Sequence, residues 1–219
     1  MVSVPKYPRI TTLPKGSFFL FGLRGVGKST WAREQFQHAY MVDLLDEFRF
    51  QTLAANPGLL SMELRDLPRQ RVVILDEVQR VPALLNEVHR LIESQRRRFM
   101  LVGSSARRLK TASTNLLAGR AALRNMYPLL PAELKADFDL ARVLRYGSIP
   151  LVWNAEDPEA TLDAYVQLYV REEIKAEALV RNLPGFLRFL PVAALFHGQV
   201  INVAGLARDS ATARTTVEG

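Results

Sequence analysis

Apolar residues follow two patterns along this chain. Short unbroken runs occur at Ser17-Phe18-Phe19-Leu20-Phe21, Val72-Val73-Ile74-Leu75 and Phe99-Met100-Leu101-Val102, with weaker ones at Tyr40-Met41-Val42 and over 121–126. Runs of this length predict strands buried on both faces of a parallel sheet. Between them lie polar, periodic stretches. Residues 28–38 predict one helix, and 46–55 a second that Asn56-Pro57-Gly58 stops. A third opens at Pro82 and runs to about residue 98, with Leu84, Leu85, Val88, Leu91 and Ile92 on one face. Strands alternating with helices predict an α/β fold, a right-handed parallel sheet with helices on both faces.

The pattern changes after Pro128-Leu129-Leu130-Pro131. From there helical periodicity dominates. A loop is expected over 146–150, a long helix over 160–179 behind Asp157-Pro158, and another over 183–196 around Pro184 and Pro191. The organisation predicted is an irregular arm over 1–15, a core over 16–131, a helical lid over 132–197 and a tail over 198–219.

The turn after the first strand carries the candidate chemistry. Gly22-Leu23-Arg24-Gly25-Val26-Gly27-Lys28-Ser29 fits GxxxxGK[ST] between a buried strand and a helix, the context of a phosphate-binding P-loop. Glycines let the backbone N–H groups wrap a phosphate, and the following helix points its positive end at the anion. Lys28 is expected to reach the β- and γ-phosphates, Ser29 to ligate Mg²⁺, and Thr30 to add a hydroxyl. A second strand delivers Asp76 and Glu77 to the same edge, where ligands of open α/β sheets bind. Asp76 suits the Mg²⁺ site and Glu77 suits polarisation of an attacking water. A kinase, whose nucleophile is the acceptor hydroxyl, needs no such glutamate, so the pair favours hydrolysis over transfer. A third strand ends at Gly103-Ser104-Ser105, where Ser104 is either a γ-phosphate sensor or the cap of a turn. Arg120 is the first candidate for a catalytic arginine, acting in its own chain or in a neighbour, with Arg107 and Arg171 behind it.

Composition narrows the classes without naming one. The chain has 219 residues, 48% apolar and 23% charged, an ordinary globular balance. It has no cysteine and three histidines, which excludes a disulfide scaffold and a cysteine-ligated zinc site. No apolar run approaches the ~20 residues that span a bilayer, so a cytoplasmic protein is expected. The net charge is 29 − 22 = +7, concentrated in Arg96-Arg97-Arg98 and in Arg107-Arg108 with Lys110. Such groups either face solvent at a helix C-terminus or meet a polyanion.

Several segments together resemble those of prokaryotic AAA-type ATPases. They are Phe19 to Thr30, Leu75-Asp76-Glu77-Val78-Gln79-Arg80-Val81-Pro82, Val102-Gly103-Ser104-Ser105-Ala106-Arg107-Arg108-Leu109, Asn115-Leu116-Leu117-Ala118-Gly119-Arg120-Ala121, and Tyr169-Val170-Arg171-Glu172-Glu173-Ile174. The resemblance spans about residue 10 to 217. It implies a P-loop NTPase sheet, ATP as the nucleotide and Mg²⁺ as the metal. It also implies a C-terminal restriction-endonuclease-like domain, which this chain is expected to lack. In the family the segment like Gly198-Gln199-Val200-Ile201-Asn202 begins a winged-helix-like module, so 203–208 is expected as its first helix and 211–218 as a second, cut short.

Two functions follow. One is Mg²⁺-dependent ATP binding and hydrolysis working as a conformational switch. The other is a nucleic-acid-binding module in which nucleotide is structural or regulatory, with a DNA or protein partner on the basic surface. No guanine-reading Asn-Lys-x-Asp string occurs.

Overall fold

A computed structural model describes residues 7–104, 117, 119–170, 182–196 and 198–214 of the chain. It divides into two compact units, residues 1–159 and 160–219.

The first unit is built on a five-stranded, all-parallel sheet in the order β2-β3-β4-β1-β5. Its strands are β1 (Ser17–Phe21), β2 (Tyr40–Asp43), β3 (Val73–Asp76), β4 (Phe99–Gly103) and β5 (Ala121–Asn125). The unbroken apolar runs are explained by two cores. Phe19 and Phe21 of β1, with Val73, Leu75, Phe99 and Leu101, face α2 (Glu47–Ala55), α3 (Leu59–Glu63) and α4 (Leu84–Gln95). Phe18 and Leu20, with Ile74, Met100 and Val102, face Trp31 and Ala32 of α1 (Lys28–Gln35). Alternate residues of one strand therefore feed opposite cores, which is why no polar position interrupts the run.

Helix ends differ from the periodicity in instructive ways. Asp46 caps α2, its carboxylate accepting from Arg49 N at 2.9 Å. The chain does not stay irregular after Asn56-Pro57-Gly58 but folds at once into the short α3. Helix α4 stops at Gln95 rather than 98, because Arg96 takes a left-handed φ of 53° and the next side chain, Arg97, turns inward.

Three short helices complete the first unit: α5 (Pro131–Leu134), α6 (Leu140–Tyr146) and α7 (Pro150–Trp153). Residues 132–159 of the expected lid thus pack with the core, around Leu129, Leu134, Trp153 and Tyr7. Helix α8 (Pro158–Ala164) passes into a π-helical turn over Tyr165–Val170. The second unit contains α9 (Leu183–Leu195), capped by Asn182, and α10 (Val203–Asp209), capped by Asn202. Helix α10 occupies the place expected for the first helix of the winged-helix-like segment. Residues 215–218 of the expected second helix lie outside the described residues. Among the described residues, no helix is long and apolar enough to cross a membrane.

Candidate nucleotide-binding site

Parallel pairing brings the C-terminal ends of all strands to one edge, and the phosphate-loop sequence leaves β1 there. Gly22 sits where a Cβ would collide with the carbonyl oxygen of Met126, whose N–H donates to Phe21 O at 2.7 Å. Gly25 (φ 77°) and Gly27 (φ 88°) hold left-handed conformations that side chains disfavour. A Cβ at Gly25 would lie 2.9 Å from Leu151 Cβ, and Leu151 N donates to Gly25 O at 3.2 Å. The loop is therefore wedged between β5 and α7.

The loop side chains lie as follows. Lys28 is buried, and its Nζ donates to the carbonyls of Gly22 (2.7 Å) and Leu23 (2.9 Å), which holds the ammonium inside the loop. Leu23 and Thr30 are exposed, Arg24 is half-buried and Val26 is buried. The Ser29 hydroxyl lies close enough to the Asp76 carboxylate to favour its charged form.

Asp76 is buried, and burial pushes its pKa up. The nearby Ser29 hydroxyl opposes that rise, while the Glu77 and Asp43 carboxylates add to it. Asp43 lies beside Asp76 because β2 and β3 pair them in register. A cation at this edge would relieve the repulsion.

Glu77 is buried in a left-handed conformation, φ 57° and ψ 41°, unusual for a residue with a side chain. Its Oε2 accepts from Gln79 Nε2. The same Nε2 donates to Ser104 Oγ at 3.1 Å. A carboxylate can only accept, so it fixes which end of the Gln79 amide faces it. Gln79 spends both N–H groups on these two residues, and its buried Oε1 has no hydrogen-bond partner among the described residues. A Cβ on Gly103 would lie 2.5 Å from that oxygen, so Gly103 makes room for the amide. Gln79 was visible in the Asp-Glu-Val-Gln string, yet its bridging role depends on β3 and β4 being neighbours.

A second feature, unsignalled by the sequence, lies in the N-terminal arm. Arg9 Nε pairs with buried Glu133 at 3.2 Å, its Nη1 donates to Val26 O at 3.0 Å, and its Nη2 donates to Tyr127 O. Glu133 also accepts from Ile10 N (2.8 Å) and Leu130 N (3.0 Å). Arg9 thus ties the arm to the phosphate loop, the end of β5 and α5. Beside this tie a cavity of about 260 Å³ opens against Gly27 and Thr30, walled by Tyr7, Arg9, Leu129 and Pro150.

Lys28, Ser29, Asp76, Glu77 and Ser104 are thereby gathered at one edge. Arg120 is not among them. It precedes β5, which starts beside Ser17, so the length of β1, about 16 Å at ~3.3 Å per residue, separates it from the loop. There it pairs with Glu93. Ser105, Arg107 and Arg171 lie outside the described residues.

The profile of a family described as an AAA domain matches residues 15–135, and that of a domain of unknown function matches 137–219. Uncharacterized proteins of Mycobacterium bovis and Mycobacterium tuberculosis are each 27% identical over 150 residues, 66% of this chain and 34% of theirs. The chain therefore spans about a third of the length of these curated relatives. Among solved structures, a Walker-type ATPase of Pyrococcus abyssi is similar at a TM-score of 0.49 and 15% identity, covering 88% of this chain and 83% of its own. The Aeropyrum pernix ORC1 protein, solved in complex with DNA, is similar at a TM-score of 0.46 and 13% identity, covering 94% of this chain and 76% of its own.

Proposed function

The chain belongs to the AAA domain family, whose sheet and nucleotide-binding loop it carries, and from that premise we propose that it binds ATP with Mg²⁺ and hydrolyses it. The observation that supports this most is the approach of the Ser29 hydroxyl to the Asp76 carboxylate. A loop hydroxyl and a strand-end carboxylate, 47 positions apart in sequence, meet as a pair of hard oxygen donors. Such a set suits Mg²⁺, which binds few protein oxygens and keeps several waters. Ser29 directly and Asp76 through water would hold the ion, which would neutralise charge on the β- and γ-phosphates.

The remaining work falls to the protein. Lys28 leaves the loop carbonyls to contact the phosphates, and the N–H groups of residues 22–30 wrap them. Glu77 accepts the proton of the attacking water as its oxygen bonds to the γ-phosphorus and ADP departs. Ser104, whose oxygen already accepts from Gln79, directs its own proton toward the γ-phosphate or the water. The cavity walled by Tyr7 and Leu129 receives the base and ribose. Arg120, at the far edge, serves the nucleotide of a neighbouring copy. The contact between Gly25 and Leu151 links the loop to the helices after residue 131, a route by which nucleotide state reaches the lid in a switch. The matched relatives extend well beyond the shared region, which is compatible with a further C-terminal domain of the restriction-endonuclease-like kind.

The test uses two variants. Glu77→Gln is expected to bind ATP normally while phosphate release falls by two orders of magnitude or more. Lys28→Ala is expected to lose ATP binding by calorimetry. Unchanged release in the first variant, or unchanged affinity in the second, would overturn the reading.

A further inference from the structure

All five strands are parallel, so the residues that lead into them share the edge opposite the nucleotide site. That edge is strongly cationic. Lys15 leads into β1, Arg69 and Arg71 into β3, and Arg96, Arg97 and Arg98 into β4. The nearby carboxylates are Asp66 and Glu93, and Arg120 already binds Glu93. The C-terminal edge has the reverse character, with Asp43, Asp76 and Glu77.

Part of this charge builds the edge without being cancelled. Buried Arg97 donates to the carbonyls of Leu64, Leu67 (2.7 Å) and Pro68 (3.3 Å). Arg98 Nε donates to Gly16 O at 3.2 Å, and Arg71 Nε to His38 O at 2.7 Å. Carbonyls satisfy the N–H groups but leave the positive charge in place. Burial, and secondarily the neighbouring Arg69, lowers the pKa of Arg97, as expected for crowded like charges. Helices α1 and α4 end at this edge, yet two helix C-termini supply only about −1 in total, far less than six cations carry. Lys15, Arg69 and Arg96 have exposed side chains and form no ion pair among the described residues.

A groove of about 580 Å³ lies on the same edge, bounded by Phe36, Gln37, His38, Gln70 and Arg71. Gln37, His38 and Gln70 are exposed, and their side chains can both donate and accept hydrogen bonds. The groove is too small for a duplex and roomy for an unstacked base. We infer that this N-terminal edge of the sheet binds single-stranded nucleic acid, with phosphates on Lys15, Arg69, Arg71 and Arg96 and a base in the groove.

The site is separate from the nucleotide site, so it stands whether or not the chain hydrolyses ATP. The experiment is fluorescence anisotropy of a labelled 20-residue oligothymidylate with the full chain. Four phosphate contacts on a single strand give a slope of log affinity against log salt near −2.8, about a 50-fold loss from 50 to 200 mM salt. Replacing Lys15, Arg69 and Arg96 by Ala should bring the slope near −0.7 and weaken binding at 50 mM on the order of 100-fold. ATP turnover and the thermal midpoint of that triple variant should stay as in the parent. The Lys28→Ala protein should bind the oligonucleotide like the parent. Absence of binding at 50 mM salt, or a triple variant with the parent's slope, would overturn the inference. So would equal affinity for a duplex or for polyglutamate, since neither can place a base in the groove.

Discussion

Gln79 offers the sharpest perturbation of the site. Truncation to Ala removes the donor to Glu77 and the donor to Ser104 together. A hydrogen bond to a charged group is worth about 1.5–3 kcal/mol and a neutral one about 0.5–1.5 kcal/mol. If 2–3 kcal/mol of this positioning acts in the transition state, kcat falls roughly 30- to 150-fold. ATP affinity should stay within about twofold, because neither contact involves the phosphate loop. Gln79→Glu should behave differently. It sets a second carboxylate against Glu77 in a buried place, so one of the two must take a proton. The protonated form restores a donor, and turnover of this variant should rise as pH falls through the titration of the pair. Gly103→Ala should act through the same amide, since the new Cβ would lie 2.5 Å from Gln79 Oε1. The double variant Gly103→Ala, Gln79→Ala should then be no slower than Gln79→Ala alone. Steady-state phosphate release at saturating ATP, with calorimetry for affinity, reads all of these. A Gln79→Ala enzyme with parental kcat, or one whose only defect is a raised KM, would refute the positioning argument.

Three further outcomes are expected. Arg9→Ala leaves buried Glu133 without its cation and should destabilise the first unit by about 3 kcal/mol in urea titrations; it should also weaken ATP binding, because Val26 O loses its donor. The Arg49 guanidinium hydrogen bond lowers the pKa of Glu63. A depressed folded pKa means that this stabilisation is present above the unfolded value and lost as pH falls through the folded one. Glu63→Gln should therefore flatten the acid limb of stability, measured by thermal melts, and a limb of unchanged slope would count against the pairing. Gly25→Ala meets both a positive φ and the Leu151 side chain, so Leu151→Ala should restore only part of the stability that it loses.

Strands β1, β3 and β4 were legible because each is buried along its whole length, and that demands an uninterrupted apolar run, whereas the edge strand β5 has no buried residue and a weaker signal. Phe18 to Phe21 could hardly fold otherwise. Helix ends were less legible, since periodicity carries no information about where a chain turns. Arg96-Arg97-Arg98 continues the polar stretch of α4, and only the fold shows Arg97 seated among the carbonyls of 64–68. The placement of Lys28, Ser29, Asp76 and Glu77 at one edge could be read from the sequence, because the first two follow the end of β1 and the last two lie at the end of β3. Gln79 needed the pairing of β3 with β4. Arg9 left no trace, because its partners Tyr127 and Glu133 lie 118 and 124 positions away. Arg120 shows the converse: its neighbours in sequence suggested a site that the parallel register places at the far edge.

The arm that carries Arg9 also sets an order of events during synthesis. Residues 7–10 leave the ribosome well before their partners, since Tyr7 bonds to Asp137 and Trp153, and Arg9 to Tyr127 and Glu133. This arm therefore settles only after residues 127–153 have followed it. A nascent chain carries a complete phosphate loop well before it has the wall beside it.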